Sequence, residues 1–218
     1  HPWEWFGIAK AMQQSGIYPD FIVVDGAEGG TGAAPVEFTD HMGMPMIEGL
    51  RLVHNTLVGL NLRQHIRLGA SGKIISGFDV IRTLAMGADW CNSARGFMFA
   101  LGCIQAQTCH TGNCPTGVTT QDPHRQVALV VPSKSDRVRN FHLQTLESVR
   151  EMLQATGLTG PSELQLRHIM RRISEHEIQN LADLMPSVTE GALNQGVLPE
   201  GLFAQYWQLA SAERFHLS

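Results

Sequence analysis

Three cysteines lie within twelve positions, at Cys103, Cys109 and Cys114. Thiolates are soft ligands that favour zinc, copper(I) or iron–sulfur clusters. The gaps between these cysteines are wider than the close pairs typical of structural zinc sites, and no second close pair follows. Three thiolates suit a cluster of three irons with one cysteine for each iron, and a proline after the last cysteine is typical of ferredoxin-type runs. The spacing therefore favours an iron–sulfur site.

Two other interpretations of the cysteine run stay open from spacing alone. Zinc would need His110 as a fourth ligand, but His110 is adjacent to Cys109, so that both side chains would have difficulty reaching one ion. The thiols could also be small buried hydrophobic groups, since free cysteine is among the most buried residue types. Cys91 lies in a predicted strand, and for it we expect only burial.

Two glycine-bearing turns precede the cysteines: SGKIISG at 71–77 and SARG at 93–96. Each is predicted between the end of a strand and the start of a helix, where free backbone N–H groups attract an anion. Lys73 and Arg95 add positive charge. In a (β/α)8 barrel the loops after strands seven and eight commonly bind phosphate. The alternative is that the small residues only make tight turns.

A third glycine-rich stretch, DGAEGGTGAAP at 25–35, follows a short β-branched run. This much glycine allows the backbone to approach a ligand closely and to move. The glycine spacing does not match the dinucleotide fingerprint. An ordinary flexible loop is the competing interpretation.

The elements that must position these residues alternate through the first hundred positions. In order, we predict a helix over 4–14 that stops at Gly16, a strand over 21–24, a helix from Ile47 to Leu60, a strand over either 66–70 or 73–76, a helix over 78–86 and a strand over 88–93. Such a succession predicts parallel strands with right-handed crossovers, which is an α/β fold.

The rest of the chain has a helical pattern. We predict a helix from Arg137 to Gly157 with Ser133 or Asp136 as its cap, helices over 162–173 and 175–184, and irregular chain on the surface beyond Pro186.

Composition excludes several classes of function. The 218 residues carry a net charge of -4 with dispersed basic residues, which argues against nucleic-acid binding. Four cysteines, three of them clustered, are not the set of a secreted disulfide scaffold. We therefore expect a cytoplasmic location. The chain opens HPWEWFG without an initiator methionine, which predicts a segment of a longer protein. A membrane anchor in the part before residue 1 stays an open alternative.

Taken together, DGAEGGTGAAP, ASGKIISGFDV, GADWCNSARGFMFALGC and the cysteine run resemble the FMN-binding domain of glutamate synthase. The likeness extends over roughly residues 1–157 and is greatest to the short glutamate-synthase-like proteins that lack an amidotransferase domain. The resemblance implies the C-terminal part of a (β/α)8 TIM barrel that carries FMN and a three-iron, four-sulfur (3Fe-4S) cluster. It divides the chain into strands six to eight of the barrel (1–102), a cluster loop (103–132) and a helical C-terminal extension (133–218).

The resemblance also implies roles for individual residues. Cys103, Cys109 and Cys114 become the cluster ligands, and 66–70 becomes strand seven. The FMN phosphate would be held by Ser71, Gly72, Lys73, Ser76, Gly77, Ser93, Ala94 and Arg95. The substrate would lie against Gly29, Gly30 and Thr31. Strands one to five have no counterpart, so we expect open sheet edges at 21–24 and at the last strand.

The function implied is reduction of 2-iminoglutarate, formed from 2-oxoglutarate and ammonia, to L-glutamate. An electron-donor protein or subunit would supply the electrons through the cluster. Two alternatives stay open: a related FMN oxidoreductase with another substrate, because the loop after Val24 departs from the family pattern, and a zinc-stabilised module without enzymatic activity.

Overall fold

A computed structural model describes residues 1–26 and 42–217 of the protein. The first half comprises α1 (Pro2–Ser15), β1 (Phe21–Asp25), α2 (Met46–Gly59), β2 (Arg67–Ser71), α3 (Gly77–Ala85), β3 (Trp90–Asn92) and α4 (Arg95–Leu101). The second half comprises α5 (Pro123–Gln126), α6 (Val131–Ala155), β4 (Met170–Arg172), β5 (Ile178–Asn180), α7 (Leu181–Leu184) and α8 (Leu202–Tyr206). Short 3-10 turns lie at Cys109–Thr111, Pro161–Glu163, Leu166–His168 and Leu193–Gln195.

The strands β1, β2 and β3 form a parallel sheet in that order. The helices α2 and α3 connect them, so the predicted α/β fold with parallel strands is confirmed. Of the two candidate stretches for the middle strand, Arg67–Ser71 forms it and the stretch 73–76 does not. Ser71 pairs with Asp25 on one side and with Asn92 on the other, so the carboxyl ends of the three strands are aligned.

The main core lies between the sheet and the helices. Leu50 and Leu57 of α2 and Leu68 of β2 are fully buried, as the helical spacing of the leucines in α2 predicts. Within the described residues, the other face of the sheet is largely exposed to solvent. Phe21 and Val23 of β1 are 58% and 40% exposed, because alternate residues of a strand point to opposite faces. Within the described residues β1 and β3 are edge strands, and the open edges expected from the sequence are present.

Helix α6 begins earlier than predicted. It starts at Val131, whereas the sequence pattern placed its start near Arg137, so Ser133 and Asp136 lie inside the helix and do not cap it. Pro132 explains the difference, because the fixed φ of proline suits the first turn of a helix. The helix has 25 residues, yet none of the described helices is both long and apolar enough to cross a membrane.

The two helices predicted over 162–173 and 175–184 are wrong. The chain forms two 3-10 turns and then the antiparallel hairpin β4–β5, and only Leu181–Leu184 is helical. Leu164 and Leu166 are both buried although they lie two positions apart. Residues two positions apart lie on different faces of a helix, so this spacing does not fit a helix with one buried face. The C-terminal extension is therefore only partly helical.

The chain beyond Pro186 is irregular, as predicted, but it does not lie wholly on the surface. Phe203 and Trp207 are buried, and their ring centroids lie 5.0 and 5.2 Å from that of Phe6 in α1. Lys10 Nζ donates to the carbonyl oxygens of Trp207 (2.6 Å) and Ala210 (2.8 Å). The tail therefore completes the core over α1. The spacing of four between Phe203 and Trp207, typical of one helix face, was the signal for this packing.

Candidate functional site

The two predicted phosphate turns meet at the carboxyl ends of β2 and β3. Ser71 ends β2, and its partner Asn92 ends β3, so the turns that follow start side by side. Ser93 Oγ donates a hydrogen bond of 2.7 Å to the carbonyl oxygen of Ile74, which joins one turn directly to the other. The structure therefore brings the stretches 71–77 and 93–95 into one place.

The turn after β2 reverses through two residues with positive φ. Gly72 has φ 142° and Lys73 has φ 48°. This conformation costs a residue with a Cβ on the order of 1–3 kcal/mol, and such strain is concentrated at functional sites. Ile74, which is 2% exposed, anchors the turn in the core. The backbone here is thus held in an uncommon shape by its surroundings.

The side chain of Asp79 occupies backbone N–H groups at the start of α3. Asp79 Oδ2 accepts hydrogen bonds from the N–H groups of Ser76 (2.9 Å) and Ile75 (3.2 Å), and Ser76 Oγ accepts from the N–H of Asp79 (3.2 Å). Burial raises the pKa of Asp79, but these hydrogen bonds and Arg82 outweigh it and leave that pKa lowered. Ser76 therefore caps the helix, and two N–H groups predicted to face a phosphate are already occupied.

Gly77 has a packing role that the sequence did not reveal. A Cβ at this position would lie 2.8 Å from Ser148 Oγ of α6. The small residue thus allows α6 to cross the start of α3 closely. Its predicted role in phosphate binding stays a prediction.

The start of α4 differs from that of α3. Ala94 provides no side-chain cap, so the first N–H groups of α4 have no such acceptor. Arg95 is half-buried, and within the described residues its guanidinium has no hydrogen bond or ion pair. Guanidinium groups bind phosphate and carboxylate oxygens through charge-assisted hydrogen bonds. The stretch Ser93–Arg95 is therefore the part of the predicted site that is open to an anion.

The cysteine loop is attached rigidly to α4. Gly102 ends the helix with φ 112°, and the N–H of Cys103 donates to the carbonyl oxygen of Met98 at 3.0 Å. Cys109 opens the 3-10 turn Cys109–Thr111, and Cys114 is 6% exposed. Two residues of this loop other than glycine, Gln105 and Gln107, have positive φ values of 55° and 56°. Part of this loop is thus strained.

The thiols differ in their tendency to ionise. Cys91 is half-buried against the core, so the expectation of burial is confirmed only in part, and burial raises the pKa of its thiol to about 11. Burial also acts to raise the pKa of Cys114, but the Thr116 hydroxyl, 3.5 Å from Sγ, and the backbone of Thr116 and Thr119 outweigh it and lower that pKa to about 6. Cys114 is therefore largely a thiolate at neutral pH, the form that binds metals.

The predicted metal site is not confirmed. Over residues 1–26 and 42–217 no three His, Cys, Asp or Glu side chains are arranged to hold a metal ion. This finding gives no support to a zinc site made of the three cysteines and His110. A three-iron cluster takes one thiolate for each iron, so its ligands need not converge on one ion. The predicted substrate residues Gly29, Gly30 and Thr31 lie outside the described residues.

Sequence reasoning missed Asp79, the residue that closes the start of α3. The signal was present, since Ser76 and Asp79 have the spacing of a capping box. It also missed two side chains of α2, the buried Arg51 and the half-buried, titratable His54. No spacing rule marks an isolated buried arginine.

Comparison with known proteins assigns the family. The conserved region of glutamate synthase matches residues 7–159. The chain is 40% identical over 185 residues to the glutamate synthase large subunit-like protein YerD of Bacillus subtilis (strain 168), covering 85% of this chain and 35% of that protein. It is 34% identical over 182 residues to the large chain of the glutamate synthase (NADPH) of the same organism, covering 82% of this chain and 11% of that one. It is 34% identical over 175 residues to the ferredoxin-dependent glutamate synthase of Antithamnion sp., covering 80% of this chain and 11% of that protein.

The chain thus spans about a third or less of the length of these curated relatives. Among solved structures, a flavocytochrome b2 mutant with pyruvate bound covers 90% of this chain, with 44% of its own chain aligned, at 14% identity and a TM-score of 0.43. That likeness is too low to establish a shared fold. The match over residues 7–159 is sufficient for the family: the chain belongs to the glutamate synthase family.

Proposed function

We propose that the chain is part of an oxidoreductase of the glutamate synthase type that depends on FMN and a 3Fe-4S cluster and reduces 2-iminoglutarate to L-glutamate. The observation that carries the proposal is the junction of two strand-end turns beside Arg95, which has no partner among the described residues. Helix α4 leads from there to the three-cysteine loop. Membership of the glutamate synthase family supports the reaction type. The strands β1, β2 and β3 would be strands six, seven and eight of a (β/α)8 barrel.

In this proposal Arg95 makes the main charged contact with the FMN phosphate. Asp79 already occupies the N–H groups of Ile75 and Ser76, and its negative charge would repel a phosphate at the start of α3. The phosphate would therefore lie towards Ser93, Ala94 and Arg95. The strained turn at Gly72 and Lys73 would bring backbone close to it from the β2 side.

Cys103, Cys109 and Cys114 would each bind one iron. Because the pKa of Cys114 is lowered to about 6, this residue need not lose a proton at neutral pH when it binds iron. Cys103 is fixed to the end of α4, so the helix would hold the cluster in a constant position relative to Arg95 at its start. When bound, the flavin supplies hydride transfer and the cluster supplies one-electron transfer.

The proposed reaction balances when an electron donor is included. Ammonia and 2-oxoglutarate lose water to form the imine, and two electrons and two protons convert the imine to L-glutamate. The electrons would come from a donor protein or subunit. Gly29, Gly30 and Thr31 would form the loop against which the substrate lies.

Anaerobic reconstitution of the protein with FMN, iron and sulfide tests the proposal. We expect three irons for each flavin and the visible absorption of an iron–sulfur cluster. Cys109→Ser should lose iron and keep FMN, whereas Cys91→Ala, which changes a thiol outside the cluster loop, should keep both. Bound zinc in place of iron, or no bound flavin, would contradict the proposal.

The substrate is tested with the reduced full-length protein, because strands one to five have no counterpart in this chain and we expect the chain alone to be inactive. Addition of 2-oxoglutarate together with ammonia should reoxidise the flavin, and either compound alone should not. A flavin that binds but is not reoxidised by the pair would favour the related oxidoreductase that acts on another substrate.

A further inference from the structure

A pocket lies at the opposite end of the strands from the proposed flavin site. It has a volume of about 350 Å³ and lies between α2, the end of α3, the turn Leu166–His168 and α7. Gly87, which precedes β3, lies at its wall. Its lining includes Arg51, His54 and Arg167, and none of its described lining residues is Asp or Glu. The charged side chains of this lining are thus all positive, and the other lining residues are uncharged.

Arg51 lies in this wall as a buried cation without a counter-ion. It is 7% exposed, and it donates only to neutral acceptors: the carbonyl oxygens of Met86 (3.1 Å) and Met185 (3.4 Å), Asn55 Oδ1 (3.1 Å) and Ser187 Oγ (3.1 Å). Its Nε has no partner, and no carboxylate of the described chain pairs with it. Burial lowers its pKa to about 10. A buried charge without an opposite charge is costly, so proteins normally pair it.

Asp89, the carboxylate whose charge acts on His54 of the pocket wall, is already engaged. Asp89 accepts from Arg63 at 2.8 Å and from Arg67 at 3.2 Å, so two other arginines share its charge. Burial and the charges of Arg51 and Arg63 lower the pKa of His54 to about 4, against the weaker effects of Gly87 and Asp89. His54 is therefore neutral at pH 7, and the local field favours a negative ligand.

We propose that this pocket binds a small oxyanion, a carboxylate or a phosphate group, between Arg51 and Arg167. Ser187 and Gln165 line the same pocket and would add hydroxyl and amide donors. The anion would supply the opposite charge that Arg51 lacks. It would also connect α2 to the stretch 164–187, which lies outside the matched family region beyond residue 159. The site is separate from Ser93–Arg95, because it lies at the amino end of β3.

The test is thermal unfolding and calorimetric titration of the protein with inorganic phosphate and, separately, with malonate. Sodium chloride keeps the ionic strength constant. Both anions should raise the unfolding midpoint if the site accepts oxyanions in general, and only one should do so if it distinguishes phosphate from carboxylate. Arg167→Gln should weaken binding about tenfold or more, since charge-assisted hydrogen bonds are the strong ones. Arg171→Gln, an exposed arginine on β4 outside the pocket, should leave binding unchanged.

Arg51→Met should abolish the response to both anions, and if that variant does not fold, Arg167→Gln decides the question. The proposal is overturned if neither anion raises the midpoint, or if Arg167→Gln and Arg171→Gln respond equally. It is also overturned if Arg95→Gln abolishes the response while Arg167→Gln does not, since the anion would then bind beside α4.

Discussion

At the scale of single residues, one aspartate makes the main side-chain hydrogen bonds at each end of the sheet. Asp79 occupies the start of α3 at the carboxyl end, where in the proposed function its charge would direct the FMN phosphate towards Arg95. Asp89 lies at the amino end of β3 and accepts from the N–H of Leu68 at 2.7 Å and from Arg63 at 2.8 Å. The hydrogen bonds of Asp79 thus shape the proposed FMN-phosphate site at the carboxyl end, and those of Asp89 stabilise the strands at the amino end.

Asp89→Asn should destabilise the protein in a pH-dependent way. Burial raises the pKa of Asp89, but the N–H of Leu68 and the charges of Arg63 and Arg67 outweigh it and leave that pKa lowered. A lowered folded-state pKa stabilises the protein above the unfolded pKa of about 4, and the stabilisation is lost as pH falls below it. We expect the variant to lose about 1–3 kcal/mol of unfolding free energy at pH 7, the range for hydrogen bonds to charged groups.

Urea unfolding of both proteins between pH 3 and 7 measures this difference. The difference in unfolding free energy between wild type and variant should decrease steadily as pH falls through about 4. Asp136→Asn, an exposed aspartate on α6, is the matched control and should follow the wild type at every pH. A gap that is independent of pH would contradict the role assigned to the Asp89 charge.

At the scale of elements, α6 crosses the starts of α3 and α4 and holds the two turns together. Gly77 faces Ser148, and a Cβ at Gly96 would lie 2.7 Å from the Phe141 ring. The two glycines therefore set how closely α6 can approach the proposed flavin site. Their small size is explained by packing, and the sequence interpretation of Gly77 as a phosphate contact did not anticipate this.

Gly77→Ala should separate packing from flavin binding. The added Cβ would contact Ser148, so we expect a loss of about 1–3 kcal/mol in unfolding free energy. Gly49→Ala in α2 is the matched control. Its Cβ would lie 3.4 Å from the nearest atom, and helix propensity should make it neutral or more stable by roughly 0.5–1 kcal/mol.

Chemical unfolding and FMN titration of the same variants give the two readouts. A Gly77→Ala protein that is as stable as wild type but binds FMN more weakly would contradict the packing role and favour direct contact with phosphate.

The elements that sequence reasoning predicted correctly are those with one dominant local signal. Gly16 marks the end of α1, and the leucine spacing of α2 marks its buried face, so both helices agree closely with prediction. The hairpin β4–β5 was missed because its strands have only three residues each and mostly exposed side chains, so they carry no alternating apolar pattern. The sequence singled out the three cysteines and the two glycine-bearing turns because chemistry restricts their residue types, and their roles in binding iron and phosphate stay predictions. Arg51 could not be singled out, since its role depends on carbonyl groups more than 30 positions away.

At the scale of the whole molecule, one face of the sheet is largely exposed and β1 and β3 are edge strands, as far as the structure describes the chain. Phe21 and Val23 expose apolar surface on β1, which invites pairing with another chain. We expect the isolated 218-residue chain to self-associate as its concentration rises.

Val23→Lys should reduce this association, because a charge on an edge strand opposes further strand pairing. Ile8→Lys is the control, since Ile8 is similarly exposed at 43% but lies on α1. Sedimentation velocity over a concentration series, with circular dichroism to confirm folding, measures the effect. Equal association of the two variants would place the contact elsewhere.

The most direct measurement is a comparison of FMN and riboflavin binding, since the two ligands differ only in the phosphate. If Arg95 and the joined turns hold that phosphate, FMN should bind the protein at least about tenfold more tightly than riboflavin. Arg95→Gln should remove most of this preference, and Arg139→Gln, an exposed arginine on α6, should keep it. Equal affinity for FMN and riboflavin in the wild type, or an unchanged preference in Arg95→Gln, would contradict the proposed flavin site.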